Sequence, residues 1–180
     1  MTSDSSYLRT LQAKERLHEL EMAYCRGIDR RDPELLRSIY FDDAVVQHGN
    51  MFTGTADGFV GWILGDFVKS YELTAHYVFN EWYQVAGDRA EGEVHRISYH
   101  RISEPASEIV AASRTFNRYE LRHGVWKISY RDVIRDWIQE RPVDTALYNG
   151  KFAMEISRPG PADRSYEVLS IFGRGPIDGA

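Results

Sequence analysis

The stretch AGDRAEGEVHRISYHRISEPASEIVAASRTFNRYELRHGVW, residues 86–126, decides the fold of this chain of 180 residues. Three turn signals divide it, and the residues between them alternate with the period of two that is typical of β-strands. The turn signals are Ala86-Gly87-Asp88, Glu104-Pro105-Ala106 and Arg122-His123-Gly124. The pattern predicts four long strands, at about Leu73–Val85, Arg89–Ser103, Glu108–Leu121 and Val125–Gln139. Because tight turns join consecutive strands, these strands form an antiparallel meander.

The residues before these strands have a helical period instead. The stretch LHELEMAYCRGIDRRDPELL, residues 17–36, carries an apolar stripe at helical spacing, and Asp32-Pro33 is typical of the start of a new helix. The predicted helices run from Ser5 or Ser6 to about Arg31, from Pro33 to Tyr40, and through GFVGWILGDFVKSY, residues 58–71. Helices followed by strands predict an α+β fold in which three helices pack on one face of a curved antiparallel sheet.

Composition limits the classes of partner. The formal net charge is −5, and no cluster of Lys and Arg outweighs its acidic neighbours, so we expect no nucleic-acid partner. The single cysteine, Cys25, cannot form an internal disulfide, which fits a reducing cytoplasm. No run of about 18 apolar residues and no secretion signal occurs, so we expect a cytoplasmic protein without a membrane partner.

The chain length favours one domain. We expect it to cover residues 1–140, and we expect an extended tail over residues 141–180, where proline and glycine are frequent and periodicity is weak. Aromatic residues on both faces of the first predicted strand need cover that three helices cannot give. This predicts a homo-oligomer.

One carboxylate stands out in the first helix. Asp29 lies near the helix C-terminus, where the helix dipole disfavours an acid, and it does not belong to the apolar stripe. A buried imidazole of the sheet would need such a partner, and His76 is the candidate. The carboxylate would fix the tautomer and stabilise the imidazolium, so that His76 could take a proton from a bound substrate. Both residues also have a structural explanation, as a hydrogen-bonded strand histidine and a surface ion pair.

The strands carry polar groups where an aliphatic core would be expected. In a regular first strand, Asn80 and Trp82 share a face with His76, while the next strands offer Ser98 and Thr115. Such a sheet suits a cavity with a few convergent polar groups. We expect these four residues and Tyr40 to contact the substrate. No HxH or HExxH motif accompanies the six histidines, so we expect no metal site.

Three runs resemble the SnoaL-like branch of the nuclear transport factor 2-like superfamily. They are AYCRGIDRRDPELLRSIYFDDAVVQHG, TAHYVFNEW and RYELRHGVWKISYRDVIRDW, and the resemblance covers roughly residues 10 to 140. It implies a cone-shaped α+β fold with a deep pocket between the sheet and three helices. It also suggests a trimer or a dimer.

The resemblance also implies chemistry. Scytalone dehydratase, hexachlorocyclohexane dehydrochlorinase and bile acid 7α-dehydratase are cofactor-free lyases of this superfamily. Their shared acid and histidine match Asp29 and His76, and further functional residues of single members match Tyr24, His100 and Arg131. Scytalone dehydratase has a tyrosine before its acid and an asparagine on the third strand, where this chain has Ile28 and Thr115, so a scytalone-type substrate is not implied.

The leading hypothesis is therefore a lyase without a cofactor, acting on a small, apolar, aromatic or polycyclic substrate. Elimination would take the form of dehydration, dehydrohalogenation or loss of formaldehyde. His76 is the expected base and Asp29 its orienting group, with His100, Tyr24 or Arg131 assisting the leaving group or an oxyanion. The alternatives are an isomerase or cyclase that uses the same pair, a ligand-binding domain without activity, and an accessory subunit of an oxygenase.

Overall fold

The structure, a computed structural model, describes residues 2–144 and 155–172. Its helices are α1 (Thr2–Asp29), α2 (Pro33–Ser38), α3 (Ala56–Trp62) and α4 (Ser165–Val168). Its strands are β1 (Tyr40–His48), β2 (Phe52–Thr55), β3 (Leu73–Ala86), β4 (Arg89–Ile102), β5 (Ser107–Arg122) and β6 (Val125–Pro142). The α+β architecture predicted from the sequence is confirmed.

The six strands form one open sheet in the order β2-β1-β6-β5-β4-β3. The antiparallel meander from β3 to β6 is confirmed, at nearly the predicted bounds. The sheet as a whole is mixed, because β1 runs parallel to β6. The sequence prediction missed β1 and β2, since it extended the second helix to Tyr40 and assigned no strand to the residues after it.

The helices cover one face of the sheet through the predicted stripe. Leu17, Leu20, Tyr24 and Ile28 are all buried. The Asp32 side chain accepts a hydrogen bond from the Leu35 backbone N–H at 2.9 Å and so begins α2. A Cβ on Gly27 would lie 2.9 Å from the Cβ of Leu36, so only glycine allows α1 and α2 to approach this closely. The tight junction fixes the C-terminal end of α1 beside the sheet.

The third predicted helix is shorter than expected. It ends at Trp62 and continues as one π-helical turn, Ile63–Phe67, and one 3₁₀ turn, Val68–Ser70. Phe59, Ile63 and Val68 are buried against the rest of the core. After this change of pitch, the ring of Phe67 lies 5.9 Å from that of His100, near the end of β4, and contacts Tyr71.

Part of the predicted tail packs against α1. The guanidinium carbon of Arg26 lies 5.0 Å from the ring centroids of both Tyr166 and Phe172, and Arg30 pairs with Asp163 at 3.4 Å. The rest of that prediction, residues 145–154 and 173–180, lies outside the described residues. Within the described part of the chain, every helix is too short or too polar to cross a bilayer.

Candidate active site

Asp29 and His76 form a pair with two hydrogen bonds. The Nδ1 of His76 lies 2.7 Å from Asp29 Oδ1, and the backbone N–H of His76 donates to Asp29 Oδ2 at 2.9 Å. Both side chains are nearly buried, at 12% and 11% exposed. Because a carboxylate only accepts hydrogen bonds, Nδ1 carries the proton and the lone pair is on Nε2.

His76 faces a cavity of about 550 Å³ between the sheet and the helices. Ser98 lies directly opposite His76 on β4 and lines the same cavity, together with His100. The lining residues are Tyr24, Ile28, His48, Gly49, Asn50, Met51, Ile63, Phe67, Tyr71, His76, Arg96, Ser98, His100, Ile109, Ala111, Ser113, Val133, Ile134, Arg135 and Ile138. Half of them are apolar, and none is an acid.

His100 is held as a neutral imidazole. Its Nδ1 lies 3.3 Å from the hydroxyl of Thr74, and its ring stacks on Tyr71 with a centroid distance of 4.5 Å. Burial, and then the electrostatic interaction with the neighbouring His76, lower the pKa of His100 to about 3. The ring centroids of His100 and His76 are 5.8 Å apart, so both imidazoles border one volume.

His48 is a third histidine of the cavity, which sequence reasoning missed. It ends β1 and lies against Phe59 and Trp62, with centroid distances of 5.9 and 5.5 Å. Burial, followed by the nearby positive charges, lowers its pKa to about 4. If β1 had been predicted as a strand, the alternation that buries Ala44 and Val46 would have placed His48 on the same, inward face of the sheet. Within the described residues, no group of three or more His, Cys, Asp or Glu could hold a metal ion.

Tyr24 lies beside the pair. Its ring meets that of His76 edge-on, with a centroid distance of 6.3 Å, and stacks on Phe59. The guanidinium of Arg131 lies 3.9 Å from the Tyr24 ring centroid. Burial raises the pKa of Tyr24 well above its ordinary value, so the phenol keeps its proton and can act only as a neutral donor or acceptor.

Arg131 does not reach the cavity, contrary to the sequence prediction. It is fully buried and donates to both carboxylate oxygens of Glu21, at 2.9 and 2.7 Å. Its other nitrogens donate to Asn117 Oδ1 and Tyr40 Oη. Glu21 is the acid at the centre of this network. Sequence reasoning missed Glu21, although its spacing, four residues after Leu17 and three before Tyr24, places it on the buried stripe.

Thr115 and Tyr40 are also corrected. Both are fully buried and serve arginines, since Tyr40 accepts from Arg131 and Thr115 accepts from Arg96. Neither borders the cavity. Their hydroxyls accept hydrogen bonds from buried guanidinium groups and so are not available to bind a substrate.

Asn80 and Trp82 lie on the outer face of the sheet, where both are exposed. The reason is a bulge in β3: the pairing with β4 shifts between Val78 and Glu81, so the alternation reverses. Glu81 and Tyr83 therefore point to the helices, and Trp82 is 69% exposed. The prediction that Asn80 and Trp82 line the cavity with His76 is wrong.

Arg96 is the cation that does border the cavity. It follows the inward face of β4, two positions before Ser98, and only 4% of its surface is exposed. It forms an ion pair with Glu21 and donates to Thr115. Arg135 adds a second positive charge at the cavity mouth. Arg96 and Arg135 are thus the charged residues among those that line the cavity.

Residues 9–132 match the SnoaL-like domain family. None of the curated proteins matches the chain in sequence. Among solved structures, a type 2 hexachlorocyclohexane dehydrochlorinase is 23% identical with a TM-score of 0.70, covering 85% of this chain and 98% of that one. The type 3 enzyme of Novosphingobium barchaimii is 21% identical with a TM-score of 0.71, covering 83% and 99%.

A scytalone dehydratase-like protein of Novosphingobium aromaticivorans is 16% identical, with a TM-score of 0.66. That match covers 85% of this chain and 95% of the other. At such identities the likeness extends to the fold, and the chemistry has to be argued from the site itself.

Proposed function

Because the chain belongs to the SnoaL-like domain family, we propose that its cavity is the active site of a cofactor-independent lyase. The reaction is a base-initiated elimination on a small, largely apolar substrate. Dehydration, dehydrohalogenation and loss of formaldehyde are the three forms that suit this site. The structural neighbours named as dehydrochlorinases and dehydratase-like proteins support a lyase as the general class.

One observation carries the proposal: Asp29 binds His76 twice and thereby directs the unprotonated Nε2 toward an open cavity. A histidine that only stabilises the fold would be satisfied at both nitrogens by protein groups. Here Nδ1 is bound by Asp29, and the residue lines a volume of about 550 Å³. The carboxylate stabilises the imidazolium that forms when Nε2 takes a proton.

The steps follow from these positions. In dehydration and dehydrohalogenation, Nε2 of His76 removes a proton from a substrate carbon, and the electrons of that C–H bond form the new double bond. In loss of formaldehyde, Nε2 removes the proton of a CH2OH hydroxyl instead, the C–O bond becomes the C=O of formaldehyde, and the electrons of the broken C–C bond form the new double bond. The bond to the leaving group breaks, and the electron pair departs with that group. Tyr24 remains protonated and close to His76, so its hydroxyl is the candidate donor to a departing oxygen or halide. His100 stays neutral and is available to orient the substrate.

The apolar lining indicates the class of substrate. Ile28, Ile63, Phe67, Val133 and Ile138 give most of the wall its character, which suits an aromatic or polycyclic skeleton. The open cavity also weakens the case for a binding domain without activity, since such a domain would hold His76 and Asp29 in a closed and satisfied pocket.

The test uses 5-nitrobenzisoxazole, a general probe for elimination. A base removes its ring C–H proton, the N–O bond breaks, and a coloured nitrile phenolate forms, so no knowledge of the natural substrate is needed. We expect the protein to accelerate this reaction and the His76→Ala variant to lose about 10²- to 10⁴-fold in rate, the usual contribution of a positioned base.

His95→Ala is the matched control. His95 is also a strand histidine beside a carboxylate, with its Nε2 3.0 Å from Glu93, but it lies on the outer face of the sheet and its side chain is 38% exposed. Its loss should leave the rate unchanged. Equal rates for the wild type and His76→Ala, at matched protein concentration, would rule out His76 as the base.

A further inference from the structure

The buried charges beneath the cavity do not balance. Glu21 and Arg131 are fully buried and Arg96 is nearly so. The single carboxylate of Glu21 pairs with both guanidinium groups. Tyr40, Asn117 and Tyr119 contribute only neutral groups. Within the cluster of Glu21, Arg96 and Arg131 one positive charge is therefore in excess, because the other buried carboxylate of this region, Asp29, is hydrogen-bonded to His76 instead. An anion that joined the cluster would stabilise it.

The excess charge belongs to Arg96 rather than to Arg131. Each nitrogen of the Arg131 guanidinium already donates to Asn117, Tyr40 or Glu21. In Arg96 the Nε is buried without a hydrogen-bond acceptor. Arg96 also borders the cavity, whereas Arg131 does not. Of the two arginines that pair with Glu21, Arg96 is therefore the one that both borders the cavity and has an unused donor.

The spacing along β4 connects Arg96 with the catalytic pair. Arg96, Ser98 and His100 follow one another on the same face of the strand, and Ser98 pairs with His76. Two positions along a strand correspond to about 7 Å. A compact substrate could thus hold an oxygen at Arg96 while a carbon near its other end faces His76.

The surrounding groups favour an anion. No acidic side chain lines the cavity, His48 and His100 are neutral, and Arg135 at the mouth is positive. Burial and the charge of Arg131 both push the pKa of Arg96 down, so an added negative charge would stabilise its protonated form. A neutral apolar ligand would leave the Nε of Arg96 without a hydrogen-bond acceptor.

We propose that Arg96 binds an anionic oxygen of the substrate, a phenolate, an enolate or a carboxylate, at the floor of the cavity. This inference deepens the proposed function, on which it rests for the identity of the site. It restricts the substrates to those that carry, or develop during proton removal, a negative oxygen one ring length from the carbon that His76 deprotonates. In the transition state Arg96 would then stabilise the charge that proton removal creates.

The test is a spectroscopic titration with 4-nitrophenol, which ionises near neutral pH and changes colour as it does so. The wild-type protein should bind the ionised form in preference and lower the apparent pKa of the bound phenol. Arg96→Met should bind the phenolate at least tenfold more weakly and lose the preference. Arg96→Lys keeps the positive charge, so it should retain part of the affinity for the phenolate and part of the preference for the ionised form.

Arg114→Met is the control, because Arg114 is also a strand arginine in an ion pair, with Asp136 at 3.0 Å, but it does not border the cavity. It should bind as the wild type does. A circular dichroism spectrum identifies any variant that fails to fold, and Arg96→Lys then carries the comparison. Competition with 4-nitrobenzoate shows whether the same site also takes a carboxylate.

The outcomes separate this inference from the proposed function. His76→Ala should lose elimination of 5-nitrobenzisoxazole and keep its preference for the phenolate. If Arg96→Met binds 4-nitrophenolate as tightly as the wild type, or if the wild type does not prefer the ionised form, the inference is overturned. The proposed lyase activity, which the elimination assay tests separately, would be unaffected. Failure of that assay with intact phenolate binding would overturn the lyase and leave the anion site in place.

Discussion

Asp29 accepts two hydrogen bonds from His76, one from the ring at 2.7 Å and one from the backbone N–H at 2.9 Å. The first bond sets the tautomer of the ring, and the second fixes the strand that carries it. The end of α1 is thereby joined to β3. An acid at a helix C-terminus, which the helix dipole disfavours, is stabilised here by these two donors.

This double contact makes the Asp29→Asn variant informative. The amide oxygen can still accept from the backbone, but the amide nitrogen then faces Nδ1 as a donor. Nδ1 must become the acceptor, which moves the ring proton to Nε2 and removes the base from the cavity. We expect elimination of 5-nitrobenzisoxazole to fall by about 10²- to 10⁴-fold, with little change in fold.

Glu93→Gln is the control for Asp29→Asn, because it alters a carboxylate that pairs with a histidine on the outer face. It should leave the rate unaffected. An unchanged rate in Asp29→Asn would show that the carboxylate does not set the tautomer.

Glu21 should matter for stability more than for chemistry. Its neutral replacement, Glu21→Gln, would leave Arg96 and Arg131 buried beside each other without a carboxylate. We expect the free energy of unfolding to fall by about 3–5 kcal/mol, the usual cost of breaking a buried ion pair. Urea unfolding measures it.

Glu19→Gln is the matched control on the same helix, since Glu19 pairs with Arg16 at the surface. Its cost should be about 0–1 kcal/mol. Similar costs for the two variants would mean that the buried guanidinium groups find other compensation.

Tyr24→Phe separates donation from packing. The ring stacks on Phe59 and lies against two guanidinium groups, and phenylalanine keeps those contacts. We expect the free energy of unfolding to fall by no more than about 1.5 kcal/mol, the net contribution of one hydrogen bond. Turnover of a substrate with a hydroxyl or halide leaving group should fall, as measured by product formation. Unchanged turnover of such a substrate would remove Tyr24 from the mechanism.

The two neutral histidines predict a loss of stability in acid. His100 and His48 have folded pKa values of about 3 and about 4, below the ordinary value of 6.5. Between these limits the unfolded chain binds protons that the folded protein does not, so the free energy of unfolding falls as the pH falls from 6.5 toward 4. Each histidine should contribute a loss of about 2 kcal/mol between pH 7 and pH 5.

Urea unfolding at both pH values measures this loss. His100→Gln and His48→Gln should each reduce the loss of unfolding free energy between pH 7 and pH 5 by the contribution of one histidine. If both variants keep the wild-type slope, these imidazoles take up protons in the folded state as readily as in the unfolded chain.

Sequence reasoning reached the fold and the contact between Asp29 and His76 because local signals encode them. Turn residues divided the meander, and an acid at an unfavourable helix position pointed to a partner on the sheet. It failed where tertiary context decides. A bulge turned Trp82 outward, and the parallel pairing of β1 with β6 brought in His48, neither of which a regular period reveals.

Arg131 shows the same limit for charges. Its match to a functional residue of one family member suggested a catalytic cation, but Arg131 is buried in an ion pair with Glu21 of α1, and Arg96 is the partner of Glu21 that borders the cavity. Which of two arginines faces a ligand depends on contacts between residues 110 positions apart, such as Glu21 and Arg131. Helical or strand periodicity in one segment contains no such information.

The outward turn of β3 leads to a prediction about assembly. Tyr77, Phe79 and Trp82 are 55%, 60% and 69% exposed and lie close together on the outer face of one strand. Exposed aromatic groups of this kind usually mark an interaction surface.

We expect the protein to sediment as a homo-oligomer, a dimer or a trimer, and the double variant Phe79→Ser with Trp82→Ser to sediment as a monomer. Leu8→Ser, on the exposed side of α1, is the control and should not alter the sedimentation coefficient. Because Phe79 and Trp82 lie outside the cavity, the monomeric variant should still eliminate 5-nitrobenzisoxazole. A wild-type protein that sediments as a monomer would show that this face does not mediate self-association.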